Sequence, residues 1–211
     1  MDRRQVLKTS LGGVGLLLGT GTIAKAFDAA CGIVTPAQPE GPFYAMKDKY
    51  DQDSDLTFVS RRWEKADGEV IYIKGRILDE NCMPVEGALV EIWQACTTGR
   101  YNHPNDTNPA KLDRNFQYWG KTISDREGVY NFKTIIPGAY PADTDWIRPP
   151  HVHYRIVKLG YKELITQMYF DGNQYNANDK ILQSLSKTDQ ESVVIKLENG
   201  VATFDIILKK P

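Results

Sequence analysis

Only three histidines occur in the 211 residues, and two of them, His151 and His153, stand one position apart in the run RPPHVHYRI. On a β-strand, side chains at i and i+2 leave from the same face, so this spacing aims two imidazoles into one space. That is how one strand gives a metal ion two ligands; the same pair could equally be satisfied by hydrogen bonds or solvated on an exposed face. Pro149 and Pro150 fix the backbone just before the pair, which suits a rigid site. No cysteine or cluster of carboxylates is at hand to complete a metal set, and the third histidine, His103, falls in a long loop-like stretch. Tyrosine is then the residue type to consider, because a phenolate is a hard anion that favours ferric iron. There are eleven tyrosines. Tyr140 lies in a Pro-Gly turn before His151 and Tyr101 follows TGR, yet spacing alone does not select these two.

The elements that must position such residues read as β. VIYIKGRIL, ALVEIWQA, GVYNFKTI, HVHYRIVKL, ELITQMYF, SVVIKL and ATFDIIL are short apolar or alternating runs separated by Gly, Pro, Asn and Asp. Such a series predicts an all-β fold: a β-sandwich of short, mostly antiparallel strands with long ordered loops and little helix. The clearest helical candidate is NDKILQSLS, residues 178–186. TGRYNHPNDTNPAKLDRNFQYWG (98–120) reads as a long functional loop, and TPAQPEGPFY (35–44) as an extended arm. The expected organisation is a signal over residues 1–26, an N-terminal arm over 27–69 and a catalytic sandwich over 70–211.

The opening segment reads as an address. Arg3, Arg4 and Lys8 precede a modestly apolar, glycine-interrupted run, and AKA at 24–26 suits signal-peptidase cleavage. The paired arginines point to a twin-arginine signal, which exports folded proteins, most simply to a periplasm, with no stable membrane insertion after cleavage. A formal net charge of -1 gives no reason to expect nucleic acid. Three cysteines, Cys31, Cys82 and Cys96, make no disulfide framework and have no C-x-x-C spacing for a thiolate metal site.

Taken in order, TPAQPEGPFY, GRYNHPND, LDRNFQYWGKTISDREGVYNFKTIIPGAYP, RPPHVHYRI and LITQMYF resemble the intradiol ring-cleavage dioxygenases, above all the protocatechuate 3,4-dioxygenase branch. The resemblance runs from Thr35 to Phe170. It implies one non-haem Fe(III) per chain held by Tyr101, Tyr140, His151 and His153. It implies that Arg148 and Gln167 line the substrate pocket, with Arg148 stabilising negative charge on the ring, and that the arm lies near the pocket mouth. Tyr140 is implied to be the ligand that leaves when substrate binds and takes a proton from it. The reaction implied joins O2 to a catechol-type ring between its two hydroxyls, giving a cis,cis-muconate-type diacid. Cys82 stands where the family pattern has glycine, and Cys96 where it has a polar residue. The long N-terminal helical segment of the catechol 1,2-dioxygenase branch is not evident, and both homo- and hetero-oligomers stay open.

Two rivals come from other classes. One is a non-catalytic exported sandwich that binds an aromatic or a sugar. The other is a zinc hydrolase that adds a carboxylate, Asp143 or Asp145, to the two histidines. If the substrate carries a carboxylate, Arg100, Lys133 and Arg155 are the cations available to meet it.

Overall fold

A computed structural model describes residues 32–44, 46 and 51–211. All of them belong to one unit, Cys31–Pro211; the expected signal lies outside the described residues. The strands are β1 (Val70–Asp79), β2 (Leu89–Trp93), β3 (Trp119–Ile123), β4 (Val129–Ile135), β5 (Tyr140–Asp143), β6 (Trp146–Arg148), β7 (His151–Val157), β8 (Leu164–Phe170), β9 (Val194–Ile195), β10 (Leu197–Glu198), β11 (Val201–Thr203) and β12 (Ile206–Leu208). The α-helix among the described residues is α1 (Lys187–Val193).

Two open five-stranded sheets face each other. In the first, β1 is central: β4 lies antiparallel on one edge, while β11 and then β12 run parallel along the other, with β10 beyond β11. The second has the order β3-β2-β7-β8-β9. The period-2 pattern of β1 buries Ile71 and Ile73 and leaves Val70, Tyr72 and Lys74 exposed, as a strand with one solvated face should. With Tyr130 and Phe132 of β4, these residues meet Val90, Ile92, Val152, Tyr154, Ile156 and Met168 from the second sheet in one core. By contrast β7 is buried at His151, Val152, His153 and Tyr154 in succession. A strand loses its alternation when both of its faces are covered, and the second covered face is where the histidines point.

Some sequence expectations need correction. Residues 178–186 do not form an α-helix but flank and contain short 3-10 turns, Asn176–Asn178 and Leu182–Ser184. The Asp179 carboxylate accepts the Leu182 amide at 2.8 Å, and a side chain that caps so tight a turn competes with helix propagation. The helix starts later, where Ser186 Oγ accepts the Asp189 amide at 3.1 Å. It consumes Ser192 and Val193 of the expected strand SVVIKL. Cys82 is disulfide-bonded, and among the described residues Cys96 is a free, buried thiol. Cys82 has a φ of 64°, the left-handed region that explains glycine at this place in the family pattern.

Candidate metal centre

The histidines occupy the outer face of the second sheet, away from the main core. Register sets Trp93 of β2, His153 of β7 and Gln167 of β8 side by side, with His151 and Tyr169 in the next row. Three further segments roof this face: the arm before Tyr44, the loop after β2 and the β5–β6 hairpin. The loop carries Tyr101 and the hairpin carries Tyr140. What joins them is a close backbone crossing. The amides of Gly99 and Gly138 both donate to the Cys96 carbonyl at 2.9 Å. A Cβ on Gly99 would lie 2.3 Å from the Ala139 carbonyl oxygen, and one on Gly138 2.4 Å from the Gly99 nitrogen. Only glycine permits this approach, and each tyrosine sits two residues after its glycine.

The result is a cluster of four rings. His151 and His153 have centroids 4.8 Å apart, Tyr101 and Tyr140 5.6 Å in an edge arrangement, Tyr140 and His151 5.7 Å, and Tyr101 and His153 6.4 Å. The Nε2 atoms of the two histidines are 3.1 Å apart. Two nitrogens bound to one ion at adjacent positions, each about 2.1 Å from it, would be separated by about 3 Å. His151 Nδ1 lies 2.6 Å from the Pro149 carbonyl; donation there holds the proton on Nδ1 and frees Nε2 as a lone-pair donor. Trp93 stacks on the His153 ring at 4.8 Å and 9° and fixes its plane.

Electrostatics favours neutral imidazoles. Burial, and then the charge of Arg148, hold both histidines well below the ordinary imidazole range. Burial pushes both Tyr101 and Tyr140 up, and Arg148 opposes it in each case. Among the described residues, Tyr101 Oη and His153 Nδ1 find no hydrogen-bond partner although both are buried. Such groups are costly to leave unmet, and a cation among the four donors would satisfy the phenol oxygen and stabilise both phenolates. Tyr101, Tyr140, His151 and His153 are thus the residues that could hold a metal.

Beside them lies a polar network of two side chains that the sequence reading picked out and three that it missed. Arg148 donates through Nη2 to Gln167 Oε1 at 2.7 Å and to Tyr169 Oη at 3.3 Å. Gln167 Nε2 donates to the Pro39 carbonyl at 2.7 Å, which fixes its amide orientation. Gln38 of the arm donates to Thr166 Oγ1 and the Gln167 carbonyl at 3.0 and 2.9 Å, and accepts from Tyr169 Oη at 3.0 Å. Asp179 accepts from Arg148 Nε at 2.7 Å. Nothing in the spacing of Asp179, Gln38 or Tyr169 signals this; only the resemblance, which places the arm near the pocket, hinted at Gln38. Phe43, also on the arm, stacks on Tyr101 at 4.7 Å and meets Tyr140 edge-on at 6.2 Å.

The carboxylates suggested for a zinc site do not join the histidines. Asp143 and Asp145 are exposed; the first accepts the Thr144 amide and the second pairs with Lys180. Among the described residues no three His, Cys, Asp or Glu side chains gather as a metal set. The cations suggested for a substrate carboxylate are engaged too. Arg100 donates to the Ala110 carbonyl, Lys133 pairs with Asp55, and Arg155 pairs with Glu91 and Glu163.

The sequence pattern of the family described as Dioxygenase matches residues 39–209. The chain is 38% identical to the protocatechuate 3,4-dioxygenase beta chain of Burkholderia cepacia over 180 residues, covering 80% of this chain and 76% of that one. It is 28% identical to a catechol 1,2-dioxygenase of Acinetobacter baylyi, covering 80% of this chain and 60% of the other. Among solved structures, 3-chlorocatechol 1,2-dioxygenase from Rhodococcus opacus superposes with a TM-score of 0.66 at 21% identity, covering 91% and 79% of the two chains. An intradiol ring-cleavage dioxygenase from Tetranychus urticae gives 0.66 at 20% identity, covering 84% and 95%; at these identities the likeness speaks for the fold. The chain belongs to the intradiol ring-cleavage dioxygenases, on the protocatechuate 3,4-dioxygenase branch.

Proposed function

We propose that this chain binds one non-haem Fe(III) through Tyr101, Tyr140, His151 and His153 and uses it to open a catechol ring between its two hydroxyl carbons. Both atoms of O2 enter the product, a cis,cis-muconate-type diacid, so catechol and O2 combine without a further reductant. The observation that carries the reading is the convergence of two neutral imidazole Nε2 atoms, 3.1 Å apart, beside a buried phenol oxygen that has no hydrogen-bond partner among the described residues.

When bound, the ferric ion would act as a Lewis acid that chelates the catecholate and draws electron density from its ring. The residues of the chain do the rest. Tyr140 Oη, a phenolate when it holds the metal, would accept one of the two catechol protons and become a neutral phenol. Tyr101, His151 and His153 stay in place, with Trp93 holding the His153 plane. Arg148, buried and charged, offsets the negative charge that grows on the ring. Phe43 and Trp93 supply the apolar walls that keep water away from the reacting ring. The test is a purified, iron-loaded protein assayed with catechol: a visible phenolate-to-iron band that shifts when catechol is added is expected, and a colourless, inactive protein contradicts the reading.

The chain is further proposed to be exported through a twin-arginine-type signal. Support comes from Arg3, Arg4 and the AKA motif, and from the disulfide at Cys82, since disulfides persist in oxidising compartments. A folded-cargo route suits a four-ligand site that must form before it can retain a metal.

A further inference from the structure

Asp179 and Arg148 form an ion pair whose side chains are 0% and 5% exposed. Such a pair is weak evidence for stability, because desolvating two charges costs as much as their attraction returns. Its geometry speaks for a different use. Both Asp179 oxygens are committed: Oδ2 to Arg148 Nε at 2.7 Å and Oδ1 to the Leu182 amide at 2.8 Å. The backbone carbonyl of Asp179 accepts the Gln183 amide at 2.9 Å, so the carboxylate is anchored in its turn. A guanidinium on a flexible stem needs two contacts to fix its plane. Here Asp179 takes Nε, Gln167 takes Nη2, and the arm holds Gln167 through Pro39.

We infer that Asp179 is a positioning residue, which clamps Arg148 at Nε so that its guanidinium meets the reacting ring in one orientation. The inference rests on the iron-dioxygenase reading of the site for its effect on turnover, but not for the clamp itself. It also gives the NDK turn after β8 a role in the reaction without any contact to the ring.

Two measurements test it. The first uses metal-free protein and needs no activity: the Arg148 Nε–H resonance in nitrogen-15 NMR. The expected result is a slowly exchanging signal in the wild type, kept in Asp179→Glu and lost in Asp179→Asn; a signal unchanged in Asp179→Asn overturns the clamp. The second is a double-mutant cycle in the iron-loaded enzyme. Asp179→Asn should lower kcat by about 10²-fold, the scale of losing one aligned charge stabiliser, with KM for catechol within about threefold. In an Arg148→Ala background the same change should cost nothing further. Equal losses in both backgrounds would show that Asp179 serves the fold alone and overturn the proposal. Should Asp179→Asn not fold, Asp179→Glu carries the kinetic test: its displaced carboxylate should cost about tenfold in kcat, and a wild-type rate overturns the inference. A wild type that binds iron but leaves catechol uncleaved refutes the dioxygenase reading, and the NMR result still decides whether Asp179 holds Arg148.

Discussion

Tyr140 and Arg148 are direct partners across the β5–β6 ladder. One hairpin therefore presents a phenol and a guanidinium together, and Pro149 and Pro150 then turn the chain into the strand that carries both histidines. The guanidinium counters the burial that holds the Tyr140 phenol in its neutral form. A phenol poised in this way can exist as a phenolate on a cation and take up a proton when it leaves.

Replacing Tyr140 with Phe should leave three protein ligands and most of the bound iron. What it removes is the acceptor for a substrate proton, so turnover should fall by about 10²-fold or more. Tyr101→Phe should instead weaken the substrate-bound complex, in which Tyr101 would be the remaining phenolate. Iron content, visible spectra with and without catechol, and kcat for both variants separate the two roles; equal behaviour would refute the division.

Removing either imidazole should remove the metal. His151→Ala and His153→Ala are each expected to retain less than about a tenth of the wild-type iron, a loss at least as large as that seen when groups supporting a ligand are removed. In the wild type, a chelator should lower the melting temperature, because a ligand bound only by the folded state stabilises it. Metal analysis and thermal melts before and after chelation check both statements. Full iron in His151→Ala would move the metal elsewhere.

Gln38 ties the arm to β8 by three hydrogen bonds, and the arm in turn holds Gln167. Gln38→Leu leaves buried partners unmet and should cost about 1–3 kcal/mol of stability. It should also lower kcat/KM for catechol, since Phe43 and Gln167 lose their support. Denaturant unfolding and steady-state kinetics on one preparation test this; a stability loss with unchanged kinetics would uncouple the arm from the site.

Export makes two demands. Changing Arg3 and Arg4 together to Lys should trap unprocessed precursor in the cell, read by fractionation and N-terminal sequencing. Peptide mapping of the exported protein without reductant should find Cys82 in a disulfide and Cys96 as a free thiol. Normal processing of the double-Lys variant would exclude the twin-arginine route.

The histidine pair was legible in the sequence because a strand repeats every two residues, so His151 and His153 had to share a face whatever the fold. The tyrosines were not legible by spacing: their meeting depends on the contact of Gly99 with Gly138, residues far apart in sequence, and only resemblance selected them. Asp179 hid inside a run with helical composition, where its carboxylate makes a tight turn instead. Arg155 and Lys133 looked available because their partners, Glu91 on β2 and Asp55 before β1, come from segments that periodicity cannot align. The strands of the sandwich were readable wherever one face is solvated. The short β5–β6 hairpin, with Pro141 inside it, offered no such alternation.

Oxygen uptake by the iron-loaded mature protein with catechol, coupled to product analysis, tests the central claim most directly. The account predicts one O2 consumed per catechol and a cis,cis-muconate-type diacid carrying both atoms of labelled O2. A ring opened beside the hydroxyl-bearing carbons, rather than between them, or an iron-loaded protein that consumes no O2 with any member of a catechol panel, would contradict it.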